Sequence, residues 1–396
     1  MKPVDEAAAE ILAAFAPQPE ERVPLLSALG RHLARDVVAQ HDAPPFDNSA
    51  MDGYAVRAHE TVGATAQTPI NLRVEGESRA GGPTPAALIA AGAQRIFTGA
   101  AMPAGADAVV IQEDTRRVQD RIDVLEAIEV EGNVRKRGSD LRAGQPMLQR
   151  GARLGAGELG LLASQDLASA IVHRRPRVAI LSTGDELRDI GEPERPGSIV
   201  NSNAYMLAAQ VLEAGGEPWV LPPVPDKLEP ATAAIRAGLR ADVVVLIGGV
   251  SVGEYDVVRD ALAAAGVTLD FWKIRMKPGK PVAFARAGEV PVLGLPGNPV
   301  SAWVTFELIV RPGLRRMLGD PHPQRARTTV RLASAIKRQP GRTEFARARL
   351  DGAVAYLFPR QGSGTILSTA QVDALVIIPA ESEQLPEGSE LSAILL

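Results

Sequence analysis

The stretch Val178-Ala179-Ile180-Leu181-Ser182 is an unbroken apolar run, which is typical of a strand buried on both faces of a parallel sheet. Similar runs return farther along the chain, at 219–221, 243–247, 269–273 and 290–295. Helical patterns separate them: one that Ser202 caps and Gly215-Gly216 closes, and others at 229–239, 256–265 and 299–318. This alternation predicts a three-layer, parallel α/β domain over residues 176–322.

The segments on either side have a different sequence pattern. Helices are predicted at 3–16, 25–38 and 154–168, and short strands broken by Gly and Pro are predicted between 55 and 140 and again after Pro321. We therefore expect a multidomain α/β protein with four domains. They are an N-terminal domain of 1–42 plus 141–175, an inserted mainly β module of 43–140, the α/β domain, and a small C-terminal β-barrel of 323–396.

Composition excludes several classes of function. The 396 residues carry 43 Lys plus Arg and 47 Asp plus Glu, a net charge of −4 that gives no reason to expect nucleic acid or a membrane surface as partner. The absence of Cys excludes disulfide scaffolds, thiolate metal sites and cysteine nucleophiles. The N-terminus lacks the order of a signal peptide and no apolar run reaches about 20 residues, so we expect a cytoplasmic enzyme.

Polar loops follow each predicted strand of the α/β domain. In a parallel sheet these loops share one edge, where ligands bind. Glycine turns expose backbone N–H groups to phosphate-like oxygens, lysines add positive charge, and carboxylates suit Mg²⁺. The edge therefore favours a metal-assisted reaction on a phosphate or other oxyanion, with a solvated mixed-charge surface as the alternative. Its loops are 182–187, 225–227, 248–256, 273–280 and 296–299.

Two short motifs point to other chemistries. Residues 155–160 fit GxGxxG, but no buried strand precedes them, so we reject a dinucleotide site. Residues 249–253 fit GxSxG between a strand and a helix, the context of a nucleophilic serine. A serine hydrolase at Ser251 stays a minor alternative, because the only downstream histidine is His322, at an expected domain boundary.

Two polar segments border the inserted module. Residues 48–54 (NSAMDGY) enter it and residues 135–140 (RKRGSD) leave it. The entry and exit of an inserted module lie close together, so both segments could border one cleft.

Several of these motifs together resemble the molybdopterin molybdenumtransferases, the MoeA family that includes the gephyrin E domain. The resemblance spans the whole chain. It rests on residues 47–56 (DNSAMDGYAV), 98–100 (TGA), 182–187 (STGDEL), 248–253 (GGVSVG), 277–281 (KPGKP) and 296–299 (PGNP).

The resemblance implies a homodimer that inserts molybdenum from molybdate into adenylylated molybdopterin with Mg²⁺, releasing AMP and molybdenum cofactor. Its cleft would lie between the α/β domain of one protomer and the inserted module of the other. Transient contacts with the molybdopterin adenylyltransferase and with acceptor molybdoenzymes are also implied. A scaffold without catalysis, tungstate in place of molybdate, and overlap with the adenylylation step stay open.

The same resemblance supplies the expected site residues. Catalytic roles fall on Asp52, Asp140, Glu186, Asp226 and Asp256, of which Glu186, Asp226 and Asp256 would hold the metal. Substrate binding falls on Thr98, Arg135, Ser182, Gly184, Gly249, Ser251, Lys273, Lys277, Pro296, Pro299, Arg347 and Ser363. The match around Arg347 and Ser363 is shorter than the others, and Arg275 and Met276 lie at positions that vary in the family.

Overall fold

The computed structural model describes residues 1–249 and 257–396. The chain forms two compact units, one made of 1–35, 150–159 and 169–396, and a second made of 36–149 and 160–168. This division is coarser than the four predicted domains, whose boundaries stay a prediction. Within the described ranges, no helix is long and apolar enough to cross a membrane.

The first unit is built on a six-stranded sheet. In spatial order its strands are Glu217–Val220, Arg177–Ser182, Val243–Ile247, Val290–Leu295, Pro281–Ala287 and Thr268–Lys273. The first four are parallel, as predicted. Pro281–Ala287 runs antiparallel to both of its neighbours and was not predicted as a strand. It forms a tight hairpin with the next strand, since Ala287 pairs with Val290 and Gly288 adopts φ +58°.

Helices cover both faces of this sheet. Alternate residues of one strand face different cores: Val243 and Val245 join one cluster, while Val244 and Leu246 join the other. The first core is closed by the helix Ser202–Glu213 and by a continuous helical run of Pro299–Thr305, a π segment Phe306–Val310, and Arg311–Met317. The second is closed by Leu228–Gly238 and Val257–Ala264. The predicted three-layer α/β fold is confirmed.

The N-terminal helix Val4–Ala13 packs against the first of these cores. Ala7, Ile11 and the following Phe15 are fully buried there. The strand Glu20–Pro24 then pairs antiparallel with Ser169–His173.

The predicted helix at 25–38 is wrong. Leu25–Ala28 is a single 3₁₀ turn, Gly30 adopts φ +76°, and Val37–Val38 is a strand paired with Pro146–Leu148. The local apolar spacing resembled a helix, but pairing with distant segments determines the structure, as at Leu33, which bridges to Val172.

Gly313 lies against the ring of Phe15, and its replacement by alanine tests this packing. A Cβ atom there would lie 2.6 Å from three ring atoms, and the ring is fully buried, so it has no room to turn away. We expect Gly313→Ala to lower the free energy of unfolding by about 1–3 kcal/mol in denaturant titrations. Gly157→Ala is the control, because no atom lies within 4 Å of its added Cβ, and it should be neutral or stabilising. Equal behaviour of the two variants would contradict close packing at Gly313.

The C-terminal region forms a closed barrel of five strands, which confirms the prediction. In order around the barrel they are Thr343–Asp351, Val354–Leu357, Arg327–Leu332, Glu390–Leu395 and Ala374–Ile378, which pairs again with the first. The short strand Met276–Lys277 extends it by pairing with Thr343–Asp351. Smaller elements of this region are Ile336–Lys337, Gln384–Leu385 and the 3₁₀ turn Ile366–Ala370.

The second unit is mainly β, as expected. Its sheet has the spatial order Ala108–Ile111, Gly53–Val56, Gly92–Ile96, Ile70–Ser78, Arg121–Val124 and Thr115–Val118. Tyr54, Leu72 and Ile122 are among its buried core residues. The segments that enter and leave the module pair with each other, Asn48–Ser49 with Val134–Arg135. The predicted proximity of entry and exit is therefore confirmed. The remaining helix, Ala156–Ser164, continues from residues of the first unit into the second.

Candidate active site

A cavity of about 530 Å³ opens at the carboxyl ends of the parallel strands. Of the predicted site residues, it is lined by Gly184, Glu186, Asp226, Gly249, Pro296 and Pro299. Ser182 ends the strand Arg177–Ser182, directly before the lining residue Thr183, and is fully buried. The structure thus brings the loops after four different strands to one place. Ser251 and Asp256 lie outside the described residues.

Two consecutive glycines shape one wall of this cavity. Gly248 and Gly249 adopt φ +86° and +62°, a left-handed conformation that favours glycine. A Cβ on Gly249 would lie 2.1 Å from Cγ2 of Val258, a buried residue, and one on Gly248 would lie 2.8 Å from the carbonyl oxygen of Thr183. Only glycine therefore lets the backbone turn so close to its neighbours.

Polar side chains outside the predicted edge loops also line the cavity, namely Asn201, Ser202 and Asn203. Asn298, in the predicted loop 296–299, lines it too. The predicted cap at Ser202 is wrong: the helix begins there, Asn201 holds the N-cap position, and its side chain makes no capping hydrogen bond. A polar residue before a helical pattern can either cap the helix or bind a ligand, so the sequence alone did not distinguish the two roles.

Three buried oxygens here have no hydrogen-bond partner among residues 1–249 and 257–396: Ser182 Oγ, Thr183 Oγ1 and Asn203 Oδ1. The amide nitrogen of Asn203 is held, because it donates to the carbonyl of Gly297 at 2.7 Å. Hydroxyls and an amide oxygen suit a ligand with both donors and acceptors, such as a heterocycle or a nucleotide.

Carboxylates also line the cavity. Glu186 and Asp226 line the cavity, and the backbone N–H of Asp226 donates to Oδ1 of Asp185 at 3.2 Å. Partial desolvation, and then the negative charges of Asp185 and Glu186, raise the pKa of Asp226. A cation would relieve this repulsion, so the two lining carboxylates fit Mg²⁺. In the described part of the chain no group of three acidic or histidine side chains could hold a metal.

The raised pKa of Asp226 predicts that Mg²⁺ binding at this position would depend on pH. Because its pKa is raised above the ordinary 3.8, the carboxyl takes up a proton earlier as pH falls. We expect the Mg²⁺ affinity, measured by calorimetry, to decrease over the pH range in which Asp226 takes up this proton. The same shift means that ionisation of Asp226 opposes folding, so Asp226→Asn should weaken Mg²⁺ binding yet raise the unfolding temperature of the metal-free protein at neutral pH.

The control for this prediction is Asp189→Asn. Hydrogen bonds from Tyr205 and from the backbone of Ile190 lower the pKa of Asp189, so its ionised form favours folding. This variant should lose stability at neutral pH. A gain of stability in both variants would contradict the role of like-charge repulsion at Asp226.

The predicted lysines lie where the chain passes from the sheet strand Thr268–Lys273 to the sheet strand Pro281–Ala287, and in between Met276–Lys277 pairs with the barrel. Lys273 ends the strand Thr268–Lys273, and Lys277 Nζ forms an ion pair of 3.1 Å with Glu344 of the barrel. Lys277 is still 44% exposed. The loop reaches the cavity at Pro281, and neither lysine is among the described residues that line it.

Arg347 is buried, and its contacts are with a loop of the barrel. It is 1% exposed, and its guanidinium donates to the carbonyls of Arg360 and Gly362. Burial lowers its pKa. Ser363 follows Gly362 in the chain. Its carbonyl accepts a hydrogen bond of 3.0 Å from the backbone N–H of Val300, in the helix that begins at the cavity. Arg347 therefore positions Ser363, and direct contact of either residue with substrate stays a prediction.

In the second unit, Asp52 and Thr98 meet. The backbone N–H and the hydroxyl of Thr98 both donate to Oδ1 of Asp52, at 2.7 and 2.8 Å. These bonds lower the pKa of Asp52, so it is an anion at neutral pH. Arg135 pairs with Asn48 in the short two-stranded ladder, and Asp140 follows on the exit segment. All four predicted residues of this unit are exposed.

Family comparisons agree with this architecture in three consecutive blocks. The MoeA N-terminal region (domains I and II) matches residues 2–165, a probable molybdopterin binding domain matches 179–316, and the MoeA C-terminal region (domain IV) matches 329–396. The chain belongs to the MoeA family. Its position there agrees with the resemblance that the sequence motifs indicate.

Individual MoeA relatives match along nearly the full length. Molybdopterin molybdenumtransferase 2 of Mycobacterium tuberculosis is 38% identical, over 93% of each chain. The molybdopterin molybdenumtransferase of Bacillus subtilis is 34% identical, over 100% of this chain and 94% of its own. The crystal structure of the molybdopterin biosynthesis MoeA protein from Pyrococcus horikoshii is similar with a TM-score of 0.87 and 33% identity, over 99% of this chain and 98% of that one.

The residues carried over from the MoeA resemblance thus fall into separate groups. The structure unites Gly184, Glu186, Asp226, Gly249, Pro296 and Pro299 around one cavity, and it joins Asp52 to Thr98 in the second unit. Lys277 meets the barrel, Arg347 holds the loop of Ser363, and the roles of all these residues stay predictions.

Proposed function

We propose that this protein transfers molybdenum from molybdate to adenylylated molybdopterin, with Mg²⁺, and releases AMP and molybdenum cofactor. The coarser statement rests on family membership: the chain is a molybdopterin molybdenumtransferase, an enzyme of molybdenum cofactor biosynthesis. The observation that supports the finer statement is the cavity, which combines a glycine turn, unpartnered polar oxygens and two carboxylates.

The carboxylates of Glu186 and Asp226 are the groups that would hold Mg²⁺, with Asp256 as a third ligand by the resemblance. When bound, the ion neutralises charge on the phosphates and polarises the phosphate bridge to AMP. Thr183 and Asn203 offer oxygens to the ligand, and Asn203 is kept in place by its bond to Gly297. The residues act mostly by positioning and electrostatics, with no covalent enzyme intermediate.

Molybdate carries two negative charges and requires positive groups. Lys273 and Lys277 are the proposed ones, because they lie in the loop that reaches the cavity at Pro281. The ion pair with Glu344 holds the ammonium group of Lys277. The group stays accessible to a ligand, because the side chain is 44% exposed. Ser363, held by Arg347, approaches from the barrel.

The experiment that tests this function is direct. The protein is incubated with adenylylated molybdopterin, Mg²⁺ and molybdate, and AMP is measured by chromatography. We expect AMP release that depends on both molybdate and Mg²⁺. Tungstate in a parallel reaction measures oxyanion preference. Absence of AMP release by folded protein would instead favour a scaffold without catalysis.

We also propose that the active protein is a cytoplasmic homodimer whose sites combine the α/β domain of one protomer with the inserted module of the other. Transient handover from the adenylyltransferase and to acceptor molybdoenzymes belongs to the same proposal. The support is the division of the expected residues: Asp52, Thr98, Arg135 and Asp140 lie in the second unit, whereas Glu186 and Asp226 lie in the first.

Mixed dimers test the shared site. Asp52→Ala and Asp226→Ala proteins, each inactive, are expected to recover part of the AMP release when their subunits exchange, because one site of a mixed dimer is then intact. Glu186→Ala mixed with Asp226→Ala is the control and should recover nothing, since every site keeps one defective α/β domain. No recovery in the first mixture, with exchange verified by mass spectrometry, would indicate sites within single protomers.

A further inference from the structure

A second, smaller cavity lies in the first unit and is lined by positive side chains. Its volume is about 180 Å³, and its walls include Arg31, His32, Arg153, Arg175 and Arg315. None of these residues lines the larger cavity or belongs to the expected active site. Four arginines around one small space are unusual, because like charges repel unless an anion separates them.

The inner wall of this cavity is rigid. The segment that carries Arg31 and His32 is hydrogen-bonded to 151–154, with Leu154 N–H donating to the carbonyl of Arg31 at 2.8 Å and Gly30 N–H to the carbonyl of Leu154 at 2.7 Å. Leu33 bridges to Val172. The backbone therefore presents Arg31 and His32 in a fixed position before any ligand arrives.

Arg31 supplies an unused donor. Its side chain is only 9% exposed. One terminal nitrogen donates to Glu21 at 2.6 Å and to the carbonyl of His173. Its Nε has no hydrogen-bond partner among the described residues. A buried guanidinium N–H without an acceptor is costly, which points to an acceptor that a ligand would bring.

His32 contributes shape and order to the wall, with no charge of its own. Burial is the main reason that its pKa is lowered, and the charges of Arg315 and Arg153 act in the same direction. The neutral ring donates from Nδ1 to the carbonyl of Gly151 at 2.9 Å and accepts from Arg315 at Nε2, 2.7 Å away. His32 thereby holds the guanidinium of Arg315 in place.

The balance of charge leaves positive groups in the wall of the cavity. Glu21 pairs with Arg31, and Asp320 pairs with Arg315 at 2.8 Å. Arg153 and Arg175 form no ion pair with any described residue, and Arg175 donates to the carbonyl of Gly215 at 3.2 Å. Among residues 1–249 and 257–396, Glu213 is the one acid that lines the cavity. It can offset one of these two arginines, and the other charge is unbalanced.

We propose that this cavity binds a tetrahedral oxyanion of the phosphate, sulfate and molybdate class, independently of the active site. Guanidinium groups present paired N–H donors whose geometry matches two oxygens of such an ion. A space of about 180 Å³ is much smaller than the active-site cavity of about 530 Å³, and it suits a five-atom oxyanion better than a nucleotide. Bound there, the ion would tie the segments around residues 31, 153, 175 and 315 together and stabilise the first unit.

The test uses the full-length protein and inorganic phosphate as the probe. Calorimetric titration with phosphate, against sodium chloride at matched ionic strength, should reveal binding, and phosphate should raise the unfolding temperature. Arg153 is exposed and Arg175 is partly exposed, so Arg153→Gln and Arg175→Gln should fold normally. Each is expected to weaken phosphate binding by about tenfold. Arg22→Gln, at an exposed position of the nearby strand, is the control and should bind as the unaltered protein does.

Molybdate and Lys277→Ala separate this cavity from the active site. Sulfate and molybdate should both compete with phosphate at the cavity, and Lys277→Ala should leave that competition unchanged. Phosphate binding that is lost in Lys277→Ala and kept in Arg153→Gln and Arg175→Gln would overturn the proposal. So would no more stabilisation by phosphate than by chloride, which would mean that Glu213 and the existing pairs already satisfy the arginines.

Discussion

Replacing Lys277 with alanine is expected to raise the molybdate concentration needed for half-maximal AMP release by about ten- to a hundredfold. One lost charge-assisted contact is worth about 1.5–3 kcal/mol, which corresponds to that range in affinity. The Mg²⁺ dependence should change little, because the carboxylates that line the cavity, Glu186 and Asp226, are untouched. The measurement is the molybdate titration of AMP release at saturating Mg²⁺, repeated as a Mg²⁺ titration.

The variant should fold, because Glu344 does not lose every partner. Glu344 is buried, and its other oxygen lies 3.2 Å from Nε of Arg338. Arg275→Gln is the matched control: it removes one positive charge from the same loop at an exposed position, while the backbone bond of residue 275 to Lys2 is kept. Equal shifts in the two variants would indicate a general effect of loop charge and contradict a specific role of Lys277.

The α/β domain was predictable because its strands are buried on both faces. Val178 to Leu181 and Val243 to Ile247 are almost fully inaccessible, and such strands need unbroken apolar sequence. The hairpin strand Pro281–Ala287 was missed because it follows a charged, glycine-containing loop that resembled part of the ligand edge. The helix at 25–38 was predicted wrongly for a different reason. This region pairs with residues 146–154 and 169–173, which are more than a hundred residues away in sequence.

The candidate site was predictable to the extent that topology determines it. Parallel strands end at one edge, so Glu186, Asp226 and Gly249 had to come near one another. Asn201 and Asn203 were missed because a polar residue at a helix start has an ordinary structural explanation. Arginine is rarely buried, so nothing in the sequence indicated that Arg347 would bond to loop carbonyls.

Replacing Gly249 with alanine is expected to reduce AMP release by about a hundredfold or more and to weaken binding of adenylylated molybdopterin. The residue has φ +62°, which costs a residue with a side chain about 1–2 kcal/mol. Its new Cβ would also lie 2.1 Å from Cγ2 of Val258, which is 2% exposed and so cannot move away. Overpacking of this kind costs about a further 1–3 kcal/mol, and the turn that lines the cavity must move to relieve it.

Two further variants separate strain from steric conflict. Gly191 also has a positive φ, of +83°, but nothing lies within 4 Å of its added Cβ, so Gly191→Ala should lose some stability and keep its activity. Val258→Ala removes the atom that conflicts with the new Cβ, and combined with Gly249→Ala it should restore part of the binding. A double variant as inactive as Gly249→Ala alone would mean that the backbone conformation of Gly249, and not its closeness to Val258, sets the shape of the cavity. Full activity of Gly249→Ala would show that this turn does not contact the substrate at all.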